Sequence, residues 1–381
     1  MSEHHGIFTN DATQAYLAAE PDMLTDQLSD RLWSVSDGQV RSIFVEGDNS
    51  VVAFDTFGTP GRARAYRSAV ESAIPGKPVG TIIYTHDHLD HAGFAADFAP
   101  DATIIADEMT AKVVKLRNAD GQLPVTQTLS GRENEVTLDG VEFLLINPGP
   151  THGTGNLSAY FADERLLFSC DTILPNARYG LMPDYHLANF VRYMRELLEL
   201  DFARFVPGRY EVTDRDRFSQ GCDYIEAMAV ACQHAFVEMV PIWIHDAMAG
   251  YVKGALGDRF GDLDGFDEHA GLTAIRIVHH YLMGGWASKT RRLPESCWRI
   301  RWSDSGSLLG YPILDGPAYT LNRPSRRNPT RVMSNSQARS TARLDGAPTA
   351  TTSGQPAMCA FCINSKLVRP LTTIPSCDSG N

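Results

Sequence analysis

The chain has 381 residues, a formal net charge of −12, 43% hydrophobic residues and 21% charged residues. This composition is typical of a globular protein with a sizeable buried core, and it argues against a disordered chain. The acidic balance argues against a nucleic-acid partner, because a phosphate backbone requires a basic protein surface. The length favours two or three structural units at roughly 150 residues per domain.

Membrane and secretion signals are not seen in the sequence. Every stretch of about 18 apolar residues is interrupted by charge, so we expect no membrane span. The N-terminus has no basic region followed by an apolar run, so we also expect no signal peptide. The seven cysteines are odd in number and sparse, which favours a reduced, cytoplasmic protein over a disulfide scaffold.

The first half of the chain alternates short apolar strands with helical segments, which predicts a mixed α/β body. The predicted elements, in order, are strands at 40–45 and 51–57, a helix at 61–73, strands at 79–84 and 102–106, hairpin segments at 136–146 and 157–168 with turns at Asp139-Gly140 and 162–164, a helix at 186–200 and a strand at 202–206.

From Phe218 onward the apolar residues recur at steps of three or four, which predicts helices. The first predicted apolar face consists of Phe218, Cys222, Ile225, Ala229, Cys232 and Phe236. Pro241 should break this helix, and Gly284-Gly285 should end a third one. We expect this helical extension to cover the active site, to form a dimer face, or to hold a small core of its own.

These patterns divide the chain into five parts: an N-terminal extension at 1–30, a main domain at 31–213, the helical extension at 214–290, a connecting segment at 291–320 and a tail at 321–381. The tail holds eight basic and two acidic residues and is rich in Ser, Thr and Pro, so we expect it to be disordered. Its Cys359–Cys362 CxxC pair lacks the second pair of a zinc ribbon, and we interpret it as incidental.

The strongest functional signal is Thr85-His86-Asp87-His88-Leu89-Asp90-His91, directly after a predicted strand. Imidazoles and carboxylates are the ligands of Zn²⁺ and related transition metals. His86 and His88 alternate, so they can point the same way from an extended segment. Asp90 and His91 follow where the chain turns into a helix, and they can face a second metal ion.

This HxHxDH pattern resembles the motif of the metallo-β-lactamase superfamily, and the resemblance covers roughly residues 40–210. It implies a four-layer αββα sandwich. It also implies that His152 supplies the third histidine of the first metal site and that Asp171 is a bridging carboxylate. Asp55 resembles the family's aspartate on an early strand, which holds a ligand histidine in place without binding the metal itself.

The pattern departs from the family at Arg209. Family members usually have Pro-Gly-His at this point, whereas this chain has Pro207-Gly208-Arg209. Arginine stays protonated and has no lone pair for a metal ion. Asp90, His91 and Asp171 therefore remain as the ligands of a second metal site. Arg209 could bind an anionic substrate group, replace the charge of the second ion by pairing with Asp171, or form a structural salt bridge. Candidates for a replacement ligand are Asp184, His186, His234, His245, His279 and His280.

The resemblance implies a metal-dependent hydrolase that uses a metal-bound hydroxide on a small ester, lactone, thioester, sulfate ester or haloaromatic substrate. One or two Zn²⁺ are expected, with iron or manganese as the other metals. Asp90 should orient the water, Arg209 should act on the substrate, and Asn156 is a candidate oxyanion donor. The alternatives are an iron-dependent oxidoreductase of the same fold, or a non-catalytic binding protein with a degenerate second site. A second copy of the chain, bound through the helical extension, is the expected protein partner.

Overall fold

The structure, a computed structural model, describes residues 21–182 and 184–282. The predictions for residues 1–20, for the Gly284-Gly285 helix end, for the connecting segment, for the tail and for its CxxC pair lie outside these residues. Strand β1 (Leu24–Gln27) falls inside the predicted N-terminal extension and pairs antiparallel with β2 (Leu32–Ser36). The first sheet therefore begins before residue 31.

Two sheets form the body of the protein. The first continues with β3 (Arg41–Glu46), β4 (Val51–Phe54), β5 (Val79–Ile83), β6 (Thr103–Asp107) and β7 (Gln127–Leu129). The second contains β8 (Glu133–Leu138), β9 (Val141–Ile146), β10 (Ser158–Phe161), β11 (Leu166–Ser169), β12 (Arg204–Pro207) and β13 (Thr213–Asp214). Strands β4 to β7 are parallel, as are β11 and β12, and the remaining neighbours are antiparallel.

Eight helices lie among the described residues: α1 (Pro60–Ala73), α2 (Leu89–Ala92), α3 (Ala95–Phe98), α4 (Glu108–Arg117), α5 (Leu187–Leu197), α6 (Arg215–Val237), α7 (His245–Phe260) and α8 (Phe266–Leu282). The start of α1 is determined by two adjacent residues, Thr59 and Pro60. The hydroxyl of Thr59 accepts a hydrogen bond from the backbone of Arg62 at 3.2 Å, and Pro60 fills the first turn. In the described part of the chain, no helix is long and apolar enough to cross a membrane.

Three buried apolar clusters separate four layers. Alternate residues of β4 face opposite ways: Ala53 joins the cluster beneath α1, and Phe54 joins the cluster between the sheets. The ring of Phe54 lies 5.5–6.3 Å from those of Phe143, Phe161 and Phe168 of the second sheet. The third cluster lies between the second sheet and helices α5 to α8. This arrangement confirms the predicted αββα sandwich.

The helical extension shares this third cluster with the sandwich. Phe218 of α6 packs edge-on against Phe205 of β12, with ring centroids 4.8 Å apart. The prediction that Phe236 lies on the buried face of α6 was wrong, since its side chain is 50% exposed. The helix ends at Val237, ahead of Pro241, so Phe236 lies in the last turn and the buried face closes with Cys232 and Ala235.

The functional residues collect where the parallel strands end. The carboxyl ends of β4, β11 and β12 lead directly into Asp55, Cys170 and Gly208, and β5 leads through Tyr84 into Thr85. The backbone N–H of Arg41 in the first sheet donates to the carbonyl of Gly208 in the second, at 2.7 Å. The two sheets therefore meet at one edge, and segments distant in sequence come together there.

Candidate metal centre

Three imidazoles converge at this edge. The ring centroids of His86 and His88 are 4.6 Å apart, those of His86 and His152 are 4.9 Å apart, and those of His88 and His152 are 4.5 Å apart. One ring nitrogen from each residue lies within 4.8 Å of the others. His86 and His152 are buried. This spacing suits one metal ion bound by three nitrogens.

Hydrogen bonds behind His86 fix its tautomer. Asp55 accepts the backbone N–H of Thr85 at 2.8 Å and the hydroxyl of Thr85 at 2.7 Å. The only hydroxyl proton of Thr85 is thereby used, so the same oxygen accepts from Nδ1–H of His86, 2.9 Å away. The proton on Nδ1 leaves a lone pair on Nε2. Among the described residues, that buried Nε2 has no hydrogen-bond partner.

The electrostatics favour the neutral form of two of these imidazoles, those of His86 and His88. Burial and the neighbouring imidazoles lower the pKa of His86 well below its usual value. Burial and then His152 lower the pKa of His88, against the opposing effect of nearby carboxylates. Burial raises the pKa of Asp55 to about 6, so the carboxylate that supports His86 through Thr85 is still mostly ionised at neutral pH. Neutral imidazole is the form that binds metal, so these residues fit a bound divalent ion.

Asp171 lies between the three-histidine set and its neighbours. Its Oδ2 atom is 3.3 Å from Nε2 of His152 and 3.2 Å from Nε2 of His91. Burial opposes its ionisation, but His91 and Arg209 hold the pKa of this carboxyl well below its usual range. The backbone of Asp171 has a left-handed φ of 50°, which is uncommon outside glycine. The turn after β11 therefore places the buried carboxylate of Asp171 next to the imidazoles of both His152 and His91.

Arg209 reaches the three residues predicted to bind a second metal ion. Its Nη2 atom contacts Oδ2 of Asp90, lies 3.1 Å from Nε2 of His91 and lies 2.9 Å from Oδ2 of Asp171. The Nε–H of Arg209 also donates to Asp171 at 3.0 Å. Asp90 and Asp171 raise the pKa of the guanidinium above its already high value, although burial opposes them. The side chain stays charged here.

Sequence analysis missed Cys170. Its Sγ lies 3.3 Å from Nδ1 of His91, on the side of that ring opposite Arg209. Together with His86 and His91 it forms a second buried group of donor atoms within 4.8 Å. Burial raises the pKa of this thiol to about 12. The only sequence signal was its position directly before Asp171, because a contact across 79 residues leaves no local pattern.

The replacement-ligand candidates do not join either donor group found in the described part of the chain. The backbones of Asp184 and His186 pair with the loop that carries His152. Asn156, the candidate oxyanion donor, makes a contact within the fold. Its side-chain amide donates to the carbonyl of Cys170 at 3.2 Å, and the residue is buried.

Residues 184–186 lie beside the loop that carries His152, where the sequence predicted that Asp184 or His186 could reach the site as a ligand. Tyr185 forms a β-bridge with His152, and the backbone N–H of His186 donates to the carbonyl of Thr151 at 2.7 Å. Arg276 of α8 donates from Nε to the carbonyl of Met182 at 3.0 Å and from Nη2 to that of Tyr185 at 2.7 Å. The helical extension is thus connected to the segment behind His152.

Comparison with known proteins agrees with this geometry. Residues 35–209 match the family model described as the metallo-beta-lactamase superfamily. A "2,4-dinitroanisole O-demethylase subunit alpha" from Nocardioides sp. (strain JS1661) is 42% identical over 285 residues, which is 74% of this chain and 87% of that protein. The beta subunit from the same strain is 35% identical over 267 residues, covering 70% of this chain and 84% of its own length. The chain belongs to the metallo-β-lactamase superfamily.

Solved structures also resemble this one. A metallo-beta-lactamase from Pontibacter korlensis is 16% identical, with a TM-score of 0.47 over 52% of this chain and 95% of that chain.

Proposed function

We propose that the chain is a metal-dependent hydrolase whose metal ion is held by His86, His88 and His152. The observation that carries this proposal is the buried Nε2 of His86, which has no hydrogen-bond partner among the described residues. Leaving a buried polar atom unpaired costs about 1–3 kcal/mol. The Asp55–Thr85–His86 chain of hydrogen bonds directs that lone pair toward the other two imidazoles, and a metal ion would satisfy it. Zinc suits this donor set.

A bound divalent ion lowers the pKa of its water ligand from about 15.7 to about 7 and so supplies a nucleophile at neutral pH. Asp90 would orient that water; its side chain is 44% exposed and Arg209 holds its carboxylate, which supports this role. Burial opposes the ionisation of Asp90, but His91 and Arg209 outweigh it and lower its pKa. The side chain of Arg209 is 28% exposed, so its positive charge lies at the solvent-exposed side of the site together with the Asp90 carboxylate.

The substrates we propose are electron-poor aryl methyl ethers, by analogy with the O-demethylase activity for which the two relatives are named. Hydrolysis balances without an oxidant: the oxygen of water bonds to the ring carbon, the bond from that carbon to the methoxy oxygen breaks, and the products are a phenol and methanol. Nitro groups favour this attack because they spread the incoming negative charge over the ring. The Arg209 guanidinium would stabilise that developing charge.

Isotope labelling tests this proposal. The purified protein is loaded with zinc and incubated with 2,4-dinitroanisole in ¹⁸O-water. We expect labelled dinitrophenol and unlabelled methanol, with no turnover by His88→Ala. Formaldehyde among the products would instead support the iron-dependent oxidoreductase. Turnover of esters or lactones without turnover of the ether would support the hydrolase proposal and exclude the aryl methyl ether as its substrate.

We further propose that a second copy of this chain binds at the end of α6. The large apolar side chains there are exposed, namely Phe236, Val237, Met239, Trp243 and Ile244. Such a patch is typical of a protein interface, and the chain is similar to both subunits of one demethylase. Light scattering should give a dimer that Trp243→Ser weakens; a monomeric wild type would contradict this. The expected cytoplasmic location stays a prediction.

A further inference from the structure

We propose that the guanidinium of Arg209 takes the place of the second metal ion, so that each chain holds one metal ion. This inference rests on the proposed function, because it assumes that His86, His88 and His152 hold the first ion. It concerns the neighbouring set of donors, which are Asp90, His91 and Asp171.

One nitrogen lies where the second ion would lie. The same Nη2 atom contacts Oδ2 of Asp90, Nε2 of His91 and Oδ2 of Asp171. The latter two donor atoms are 3.2 Å apart, a separation that also suits two ligands each about 2.0–2.2 Å from one zinc ion. An ion bound by all three donors would therefore overlap Nη2. The donors for a second metal are present, but their common space is filled.

The guanidinium of Arg209 supplies part of the positive charge that a second metal ion would bring. Two carboxylates, those of Asp90 and Asp171, face the permanent positive charge of Arg209. Asp171 is buried, so removing its cation would leave an uncompensated buried charge, which is strongly unfavourable. A guanidinium also cannot be extracted by a chelator. We therefore expect this half of the site to stay ordered when the metal ion is removed.

The backbone fixes Arg209 in this position. Residue 209 forms a β-bridge with Val40, and the carbonyl of Gly208 accepts from Arg41. A Cβ atom on Gly208 would lie 2.4 Å from Sγ of Cys170 and 2.6 Å from Oδ1 of Asp171. The chain can therefore approach Asp171 this closely only with glycine at 208. The backbone therefore holds residue 209 beside the second donor set.

Metal stoichiometry tests the inference without relying on activity. Wild type, Arg209→His and Arg209→Ala are incubated with excess zinc, desalted and analysed by inductively coupled plasma mass spectrometry, with folding checked by circular dichroism. We expect one zinc per chain in the wild type and two in Arg209→His. In Arg209→Ala, calorimetric titration should detect a second, weaker zinc site, so the test does not depend on the histidine variant folding. The control variant Arg259→His changes an exposed arginine of α7 that pairs with Asp223, and it should still bind one zinc ion per chain.

The outcomes separate the two proposals. Two zinc ions in the wild type would overturn the replacement by Arg209 and leave the hydrolase intact. One zinc in the wild type and in both folded Arg209 variants would also overturn it. Asp90, His91 and Asp171 would then bind no metal ion even after the guanidinium is removed. A wild type that binds no zinc, iron or manganese would overturn the proposed function itself.

Discussion

Tyr185 packs against the imidazole of His152, with ring centroids 4.7 Å apart and ring planes inclined at 62°. Tyr185 is buried, and its carbonyl accepts from Arg276 of α8. A residue of the helical extension therefore holds the tyrosine that packs against His152. The extension contributes to the site through this tyrosine as well as to the core.

Arg276→Met should weaken metal binding by roughly ten-fold, as is usual when a group behind a ligand is lost. Methionine keeps much of the side-chain volume but cannot donate to the carbonyls of Met182 and Tyr185. Competition with a chelator of known affinity measures the effect. Arg259→Met on α7 is the matched control and should bind metal like the wild type. Equal affinities in all three proteins would show that the loop holds His152 without Arg276.

His88→Ala should abolish tight metal binding and turnover. Two imidazoles remain, and zinc sites of the catalytic type have three protein ligands. Elemental analysis and the ether assay give the two readouts. His245→Ala removes a half-exposed histidine of α7 that pairs with Asp246, and it should change neither. Retention of metal and activity by His88→Ala would remove this residue from the site.

Gly208→Ala should impair folding and metal binding together. The added methyl group would lie within 2.6 Å of both Cys170 Sγ and Asp171 Oδ1, which real structures do not tolerate without movement. Gly250→Ala is the matched control because nothing lies within 4 Å of the new methyl group in α7. This control should stabilise the protein by about 0.5–1 kcal/mol. Thermal unfolding measures both, and an unperturbed Gly208→Ala would contradict the close approach of β12 to Asp171.

Phe54→Ala should lower the free energy of unfolding by about 3–5 kcal/mol, because the ring fills the space between the two sheets. Leu116→Ala changes a side chain that is 85% exposed and should alter stability by less than about 0.5 kcal/mol. Denaturant unfolding compares the two. A small loss for Phe54→Ala would mean that the sheets pack without this aromatic cluster.

Side-chain alternation predicted most of the sandwich but could not show where strands end. The sequence predicted a strand at 51–57, whereas β4 ends at Phe54. Asp55 and Phe57 have left-handed φ values of 52° and 66°, and the pattern of apolar residues does not report backbone angles. Strand β1 was missed because all four of its residues are exposed, so it shows no alternation.

The site was predictable where its residues are adjacent in sequence. Three histidines occupy one hexapeptide, so chemistry and spacing could be recognised together. The contacts of Cys170 with His91 and of Arg276 with Tyr185 join residues 79 and 91 positions apart. Such contacts depend on how the two sheets and α8 pack, and no local motif indicates them.

Anomalous X-ray scattering from crystals grown with zinc tests the central claim most directly. We expect one peak per chain, about 2.0–2.2 Å from nitrogens of His86, His88 and His152. A chain without a peak among these three imidazoles would contradict the metal site, and a second peak among Asp90, His91 and Asp171 would contradict the role assigned to Arg209.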